Sequence, residues 1–157
     1  MSKHINKIKL STKIFNILIV DDDCDTANSF GEILSSRHHN VTIINDVVTC
    51  ISKCQNQQYD IIFMDFHMDK INGVELTELI KKLFNAKSLI FAFTGDDSNN
   101  AIQQFKNIGM NGAFIKPIDI DLINNFMNIL EQRNNLDIKL LKTVKFLRRQ
   151  KNFILFD

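Results

Sequence analysis

The sequence predicts an α/β protein: a five-stranded parallel sheet in the order 2-1-3-4-5, doubly wound by five helices. Two observations carry this. Five short β-rich apolar runs recur at 17–20, 41–44, 61–64, 89–93 and 113–115, and segments of helical length and period follow them at about 25–37, 46–57, 73–84, 98–108 and 119–132. Runs that are continuously apolar belong to strands covered on both faces. Strands alternating with helices build a parallel sheet, and right-handed crossovers with short connections leave the doubly wound order as the common solution for five such units.

Taken in order, each run ends on polar residues. The first, Ile17-Leu18-Ile19-Val20, stops at Asp21-Asp22-Asp23. Asp23 and Asp25 then suit the N-terminus of a helix whose apolar face includes Phe30 and Leu34. The second run ends at Asn45-Asp46, with Asp46 expected to cap the second helix. The third ends at Asp65, the fourth at Thr94-Gly95 and the fifth at Lys116-Pro117. The thirteen Phe residues lie mostly within apolar runs and are expected in the core, whereas His4, His38 and His39 lack a carboxylate partner at helical spacing and read as solvated.

At 157 residues, 45% of them hydrophobic and 24% charged, the chain suits one compact domain that needs neither disulfide nor structural metal. Disorder and a small cystine scaffold are excluded. Cys24, Cys50 and Cys54 form no CxxC pair and read as thiols. No apolar run reaches the roughly 18 residues that span a bilayer, and no signal-like N-terminus is present, so a cytoplasmic protein is expected. The formal charge of +1 conceals a segregation: residues 1–15 carry +4 and residues 133–157 carry +5, leaving −8 on the body between them.

Ligands in open sheets of this kind bind beyond the carboxyl ends of the strands. The predicted order brings Asp21, Asp22, Asp65, Thr94 and Lys116 into one crevice. Two like charges about 4 Å apart repel by roughly 4 kcal/mol at an effective dielectric near 20, so three carboxylates call for a cation. Lys116 offsets one. A hard divalent ion suits the rest, and an all-oxygen set without His pairs or Cys favours Mg²⁺, which binds phosphate together with one or two carboxylates. An aspartate in such surroundings can attack phosphorus to form an acyl phosphate. Thr94 would donate to a phosphoryl oxygen, and Gly95 beside it leaves access.

The residues ILIVDDD (17–23), DIIFMDFHMDKINGVEL (60–76), FAFTGDD (91–97) and GMNGAFIKP (109–117) resemble the receiver domains of two-component response regulators, over about residues 15–132. The resemblance implies a flavodoxin-like fold and a phosphorelay function without turnover of a substrate. By it, Asp65 is the phosphoacceptor, Asp21 and Asp22 the acidic metal pair, Thr94 the switch hydroxyl and Lys116 the phosphate-binding lysine. It also implies Mg²⁺ completed by the His67 backbone carbonyl, and a cis bond at Lys116-Pro117. The implied donor is a histidine kinase or histidine phosphotransfer protein. A downstream protein would dock on the face of the fourth helix, fifth strand and fifth helix, with a homodimer left open.

Three positions depart from the family pattern. Ala113 stands where an aromatic usually swings inward with Thr94, while Phe114 should face the other side of the sheet. Asp69 replaces a common Pro, and His67 lies two residues beyond the acceptor, where phosphoryl lifetime is tuned.

Two rival functions remain at this stage. A haloacid-dehalogenase-like phosphatase also combines an aspartyl nucleophile, Thr, Lys and Mg²⁺, but its nucleophile would lie among Asp21 to Asp25. Its late acidic motif should follow the lysine, whereas Asp96-Asp97 precede Lys116. A pseudo-receiver would share the fold and serve only as a docking surface.

Outside the body, residues 1–14 form a basic extension and 133–157 a second, with an apolar stripe of Leu136, Leu140, Val144 and Leu147 against Lys139, Lys142 and Arg149. Packing on the acidic body, or continuation of the last helix, is the favoured expectation over binding a membrane, nucleic acid or another protein. About 25 residues leave no room for an ordinary DNA-binding output domain. The closing run Phe153-Ile154-Leu155-Phe156 would be an exposed apolar patch unless it docks.

Overall fold

A computed structural model of the chain describes residues 13–84, 87–132, 138–143, 147 and 150–156. The first half alternates β1 (Asn16–Val20), α1 (Cys24–Ser36), β2 (Asn40–Ile44), α2 (Val47–Asn56), β3 (Ile61–Met64) and α3 (Gly73–Phe84). There follow β4 (Leu89–Thr94), α4 (Asn99–Asn107), β5 (Gly112–Ile115), α5 (Ile120–Glu131), the short α6 (Ile138–Thr143) and β6 (Phe153–Leu155).

The first five strands pair in parallel in the predicted order. Successive side chains along each strand alternate between two cores. Ile17 and Ile19 join Phe30, Phe63, Phe91 and Phe126 on one face of the sheet, while Leu18 and Val20 join Ile62, Met64, Leu76 and Phe105 on the other. Both faces are buried along β1, β3 and β4, which is why those runs read as continuously apolar, whereas the edge strand β2 is partly exposed, with only Ile44 buried. Ala113 and Phe114 divide between the two cores as expected.

Helix starts follow the capping logic. Asp23 accepts from the N–H groups of Asp25 and Thr26, Asp46 from Thr49, Ser98 from Ala101 and Asp119 from Leu122.

The sheet differs from expectation in having six strands. β6 lies antiparallel on the outer edge of β5, with Gly112, Ala113 and Phe114 opposite Leu155, Ile154 and Phe153. The closing apolar run is therefore docked: Phe153 and Phe156 are both buried. A terminal run of four residues carries no crossover signal, and only the bare edge of β5 decides that it pairs. Leu141 and Leu147 are buried in the same core as Phe153, in keeping with packing of the C-terminal segment on the body. Leu136, Val144, Arg149, His4 and residues 1–12 lie outside the described residues.

A second correction concerns His39, which is buried rather than solvated. Its Nδ1 accepts from the Phe15 N–H at 3.2 Å, so Nε2 faces Glu131 Oε1 at 2.8 Å. Arg37 grips the same carboxylate in fork fashion, at 2.8 and 2.7 Å, and also donates to Asn124 and Asn128. The partner lies 92 residues away on α5, beyond the reach of any helical-spacing argument.

Candidate functional site

Four strand ends build the site. Asp21 follows β1 and is fully buried. Its N–H donates to the Ile44 carbonyl and its Oδ1 accepts from the Asp23 N–H at 2.9 Å, so the Asp-Asp-Asp turn folds back on itself. Asp65 follows β3, where its N–H donates to the Val20 carbonyl, and it is 5% exposed. Asp22 is half-buried, and its Oδ2 accepts from the Asp69 N–H at 3.2 Å. Thr94 ends β4 and Lys116 follows β5.

The predicted residues converge. Ligand oxygens of Asp21, Asp22 and Asp65 all lie within 4.8 Å of one another. The Lys116 amine donates to Asp21 Oδ2 at 2.7 Å and to Asp65 Oδ1 at 3.4 Å, and lies 4.9 Å from the Phe93 ring centroid. The Lys116-Pro117 bond is cis. Thr94 is fully buried; its hydroxyl oxygen accepts from the Asp96 N–H at 3.0 Å, an arrangement that keeps the hydroxyl proton as a donor. A Cβ on Gly95 would meet nothing within 4 Å, so this side of the site is open.

Electrostatics follow from burial. Removal from water pushes the Asp65 carboxyl up to about 6, with Asp21 and Asp22 adding repulsion and Lys116 acting in the opposite sense. The three carboxylates fit a hard divalent cation: their oxygens are close, all-oxygen and more numerous than Lys116 can neutralise.

Two neighbours complete the rim. The exposed His67 ring lies 3.6 Å from Asp96 Oδ2, joining the loops after β3 and β4. Asp96 is held below the usual carboxylate range by hydrogen bonds from Ser98 first, then by His67. Gly73 is a residue that motif reading passes over. Its N–H donates to the Phe66 carbonyl, and a Cβ there would run into the carbonyl oxygen of Asp65. The NG pair ahead of the third helical segment was the available signal.

The doubly wound sheet thus gathers acid, hydroxyl and lysine at its strand tips, the place where open α/β sheets bind their ligands. Residues 17–128 match the family described as response regulator receiver domain, and the chain belongs to that family. It is 28% identical over 127 residues to the CAI-1 autoinducer sensor kinase/phosphatase CqsS of Vibrio cholerae, an alignment covering 80% of this chain and 18% of that protein. It is also 28% identical over 120 residues to the transcription factor SKN7 of Candida albicans, covering 76% of this chain and 21% of that one. The chain thus spans about a fifth of the length of these relatives. Among solved structures, a CheY-like response regulator receiver domain protein from Methanospirillum hungatei superposes with a TM-score of 0.68 at 26% identity, covering 76% of this chain and 96% of that one. A two-component response regulator from Clostridium difficile gives 0.70 at 22% identity, covering 76% and 98%, a likeness of fold.

The family sets aside the dehalogenase-like phosphatase. Locally, Asp23 is engaged as the α1 cap.

Proposed function

We propose that this chain accepts a phosphoryl group on Asp65 from the phosphohistidine of a histidine kinase or histidine phosphotransfer protein, and signals through protein contacts. The observation that carries the reading is the buried Asp65 carboxylate at the tip of β3, within 4.8 Å of two further carboxylates and 3.4 Å from the Lys116 amine. An Asp65 oxygen attacks phosphorus, the P–N bond to the donor imidazole breaks, and the ring nitrogen keeps the electron pair and regains a proton. Lys116 balances negative charge on the transferring oxygens and Thr94 donates its hydroxyl proton to one of them. Mg²⁺ held by Asp21, Asp22, Asp65 and the His67 carbonyl would supply the remaining charge neutralisation. Gly95 leaves the approach open.

Receivers bind a divalent ion at such acidic pockets, and Mg²⁺ is the one proposed here on the all-oxygen set. The proposed unit is 15–132 flanked by 1–14 and 133–157, with partner contact on the face of α4, β5 and α5, where β6 now forms part of the surface.

Incubation with acetyl phosphate and Mg²⁺ tests this directly. Wild type should gain one acid-labile phosphoryl group by intact mass, and Asp65→Asn none. Equal labelling of the two would reject Asp65. Absence of labelling in both, with no response of Thr94 or Lys116 resonances to Mg²⁺ and beryllofluoride, would leave the docking-only reading in its place.

A further inference from the structure

Strand β5 is four residues long, and Lys116 follows it directly. Its end is clamped from two sides. On the inner side Lys116 N–H donates to the Thr94 carbonyl at 2.7 Å; on the outer side Ile115 N–H donates to the Asn152 carbonyl at 2.9 Å, just ahead of β6. At the other end Phe156 N–H donates to the Asn111 carbonyl at 3.0 Å, so β6 brackets β5 along its length.

The fit is close. A Cβ on Gly112 would stand 2.5 Å from the Ile154 carbonyl oxygen, so β6 lies where only glycine opposite it leaves room. Phe153 anchors the strand, its ring centroid 4.6 Å from Phe114 and 5.8 Å from Phe126. On the opposite face Ile154 lies across from Ala113, supplying from the neighbouring strand the apolar bulk that Ala113 does not.

We propose that β6 positions the site lysine: residues 152–156 hold the end of β5 where Lys116 reaches both Asp21 and Asp65. This rests on Lys116 being the phosphoryl-binding amine. A short edge strand without a partner leaves its outward N–H groups unpaired and its end free to move. The amine lies at 2.7 Å from one carboxylate and 3.4 Å from the other, so a small shift of its stem changes which oxygen it serves. Phe153 is a positioning residue, acting through the strand and not by contact with the reacting atoms.

The test compares full-length wild type, Phe153→Ser, Phe153→Leu, Lys116→Ala and the Lys116→Ala/Phe153→Ser double variant. With acetyl phosphate and Mg²⁺, Phe153→Ser should slow labelling about tenfold to a hundredfold, while affinity for Mg²⁺ alone stays within about twofold. Phe153→Leu should restore the rate. In the Lys116→Ala background Phe153→Ser should cost nothing more, because both act through one amine. Wild-type labelling by Phe153→Ser, or losses that multiply in the double variant, overturn the proposal.

Amide exchange separates this from the phosphorylation reading. The Lys116 N–H should exchange about tenfold faster in Phe153→Ser while β1 and β3 amides keep their protection. Unchanged Lys116 protection overturns the positioning role even in a chain that no donor labels. Should Phe153→Ser fail to fold, Gly112→Ala crowds the same strand with Phe153 in place and carries the same expectations.

Discussion

Asp65 illustrates a side chain held at a cost. Burial, which disfavours the charged form, pushes its carboxyl from the ordinary 3.8 up to about 6. Between those values the folded state binds more protons than the unfolded state, so stability falls as pH rises through that window. Asp65→Asn removes the ionisation and should stabilise the metal-free protein at pH 7 by about 1–3 kcal/mol, an advantage that vanishes near pH 4. Urea unfolding at the two pH values, in the presence of chelator, measures it. An Asn variant less stable than wild type at pH 7 would mean that the Lys116 bond outweighs desolvation. Gly73 makes a different residue-scale claim: Gly73→Val pushes a side chain into the Asp65 carbonyl. It should reduce acetyl phosphate labelling by about tenfold or more, through displacement of the acceptor.

Elements are fixed to one another by a few long-range contacts. The Arg37–Glu131–His39 cluster ties the α1–β2 corner to the end of α5. Burial raises the Glu131 carboxyl, but hydrogen bonds from Arg37 and His39 outweigh it and hold the group below its usual range. A depressed carboxylate contributes stability above its unfolded pKa and loses that contribution as pH falls through the folded one. Glu131→Gln should therefore destabilise the chain by about 1–3 kcal/mol at pH 7, and by less in acid, where wild type has lost the same interaction. Denaturant midpoints across that pH range report it. β6 is the other element-scale contact, and its Phe153 ring lies near Phe91, Phe114 and Phe126, placing residues from the end of the chain inside the core.

For the whole molecule, the acidic pocket links metal binding to folding. A ligand that binds only the folded chain stabilises it by about 2.7 kcal/mol when present at about a hundred times its dissociation constant. Mg²⁺ at that ratio should raise the thermal midpoint, chelator should reverse the rise, and Asp21→Asn should abolish it. Calorimetry with and without Mg²⁺ checks all three. Among the described residues no helix is long and apolar enough to cross a membrane. The segregation of charge, −8 on the body against +5 on the last 25 residues, accompanies a C-terminal segment whose Leu141, Leu147, Phe153 and Phe156 are buried against that body.

The sheet order, the caps at Asp23 and Asp46 and the meeting of Asp21, Asp22, Asp65, Thr94 and Lys116 were legible in the sequence, because each depends on local pattern or on the rule that strand tips converge. Apolar runs report burial on both faces, and an acid directly after a strand has few other places to go. The sixth strand, the burial of His39, and the close approaches at Gly73 and Gly112 were not legible. Each is set by a partner remote in sequence: Phe153 against β5, His39 against Glu131, Gly73 against Asp65 and Gly112 against Ile154. Periodicity reports which face of an element is apolar. What meets that face, and how closely, is decided only when distant segments compete for the same space.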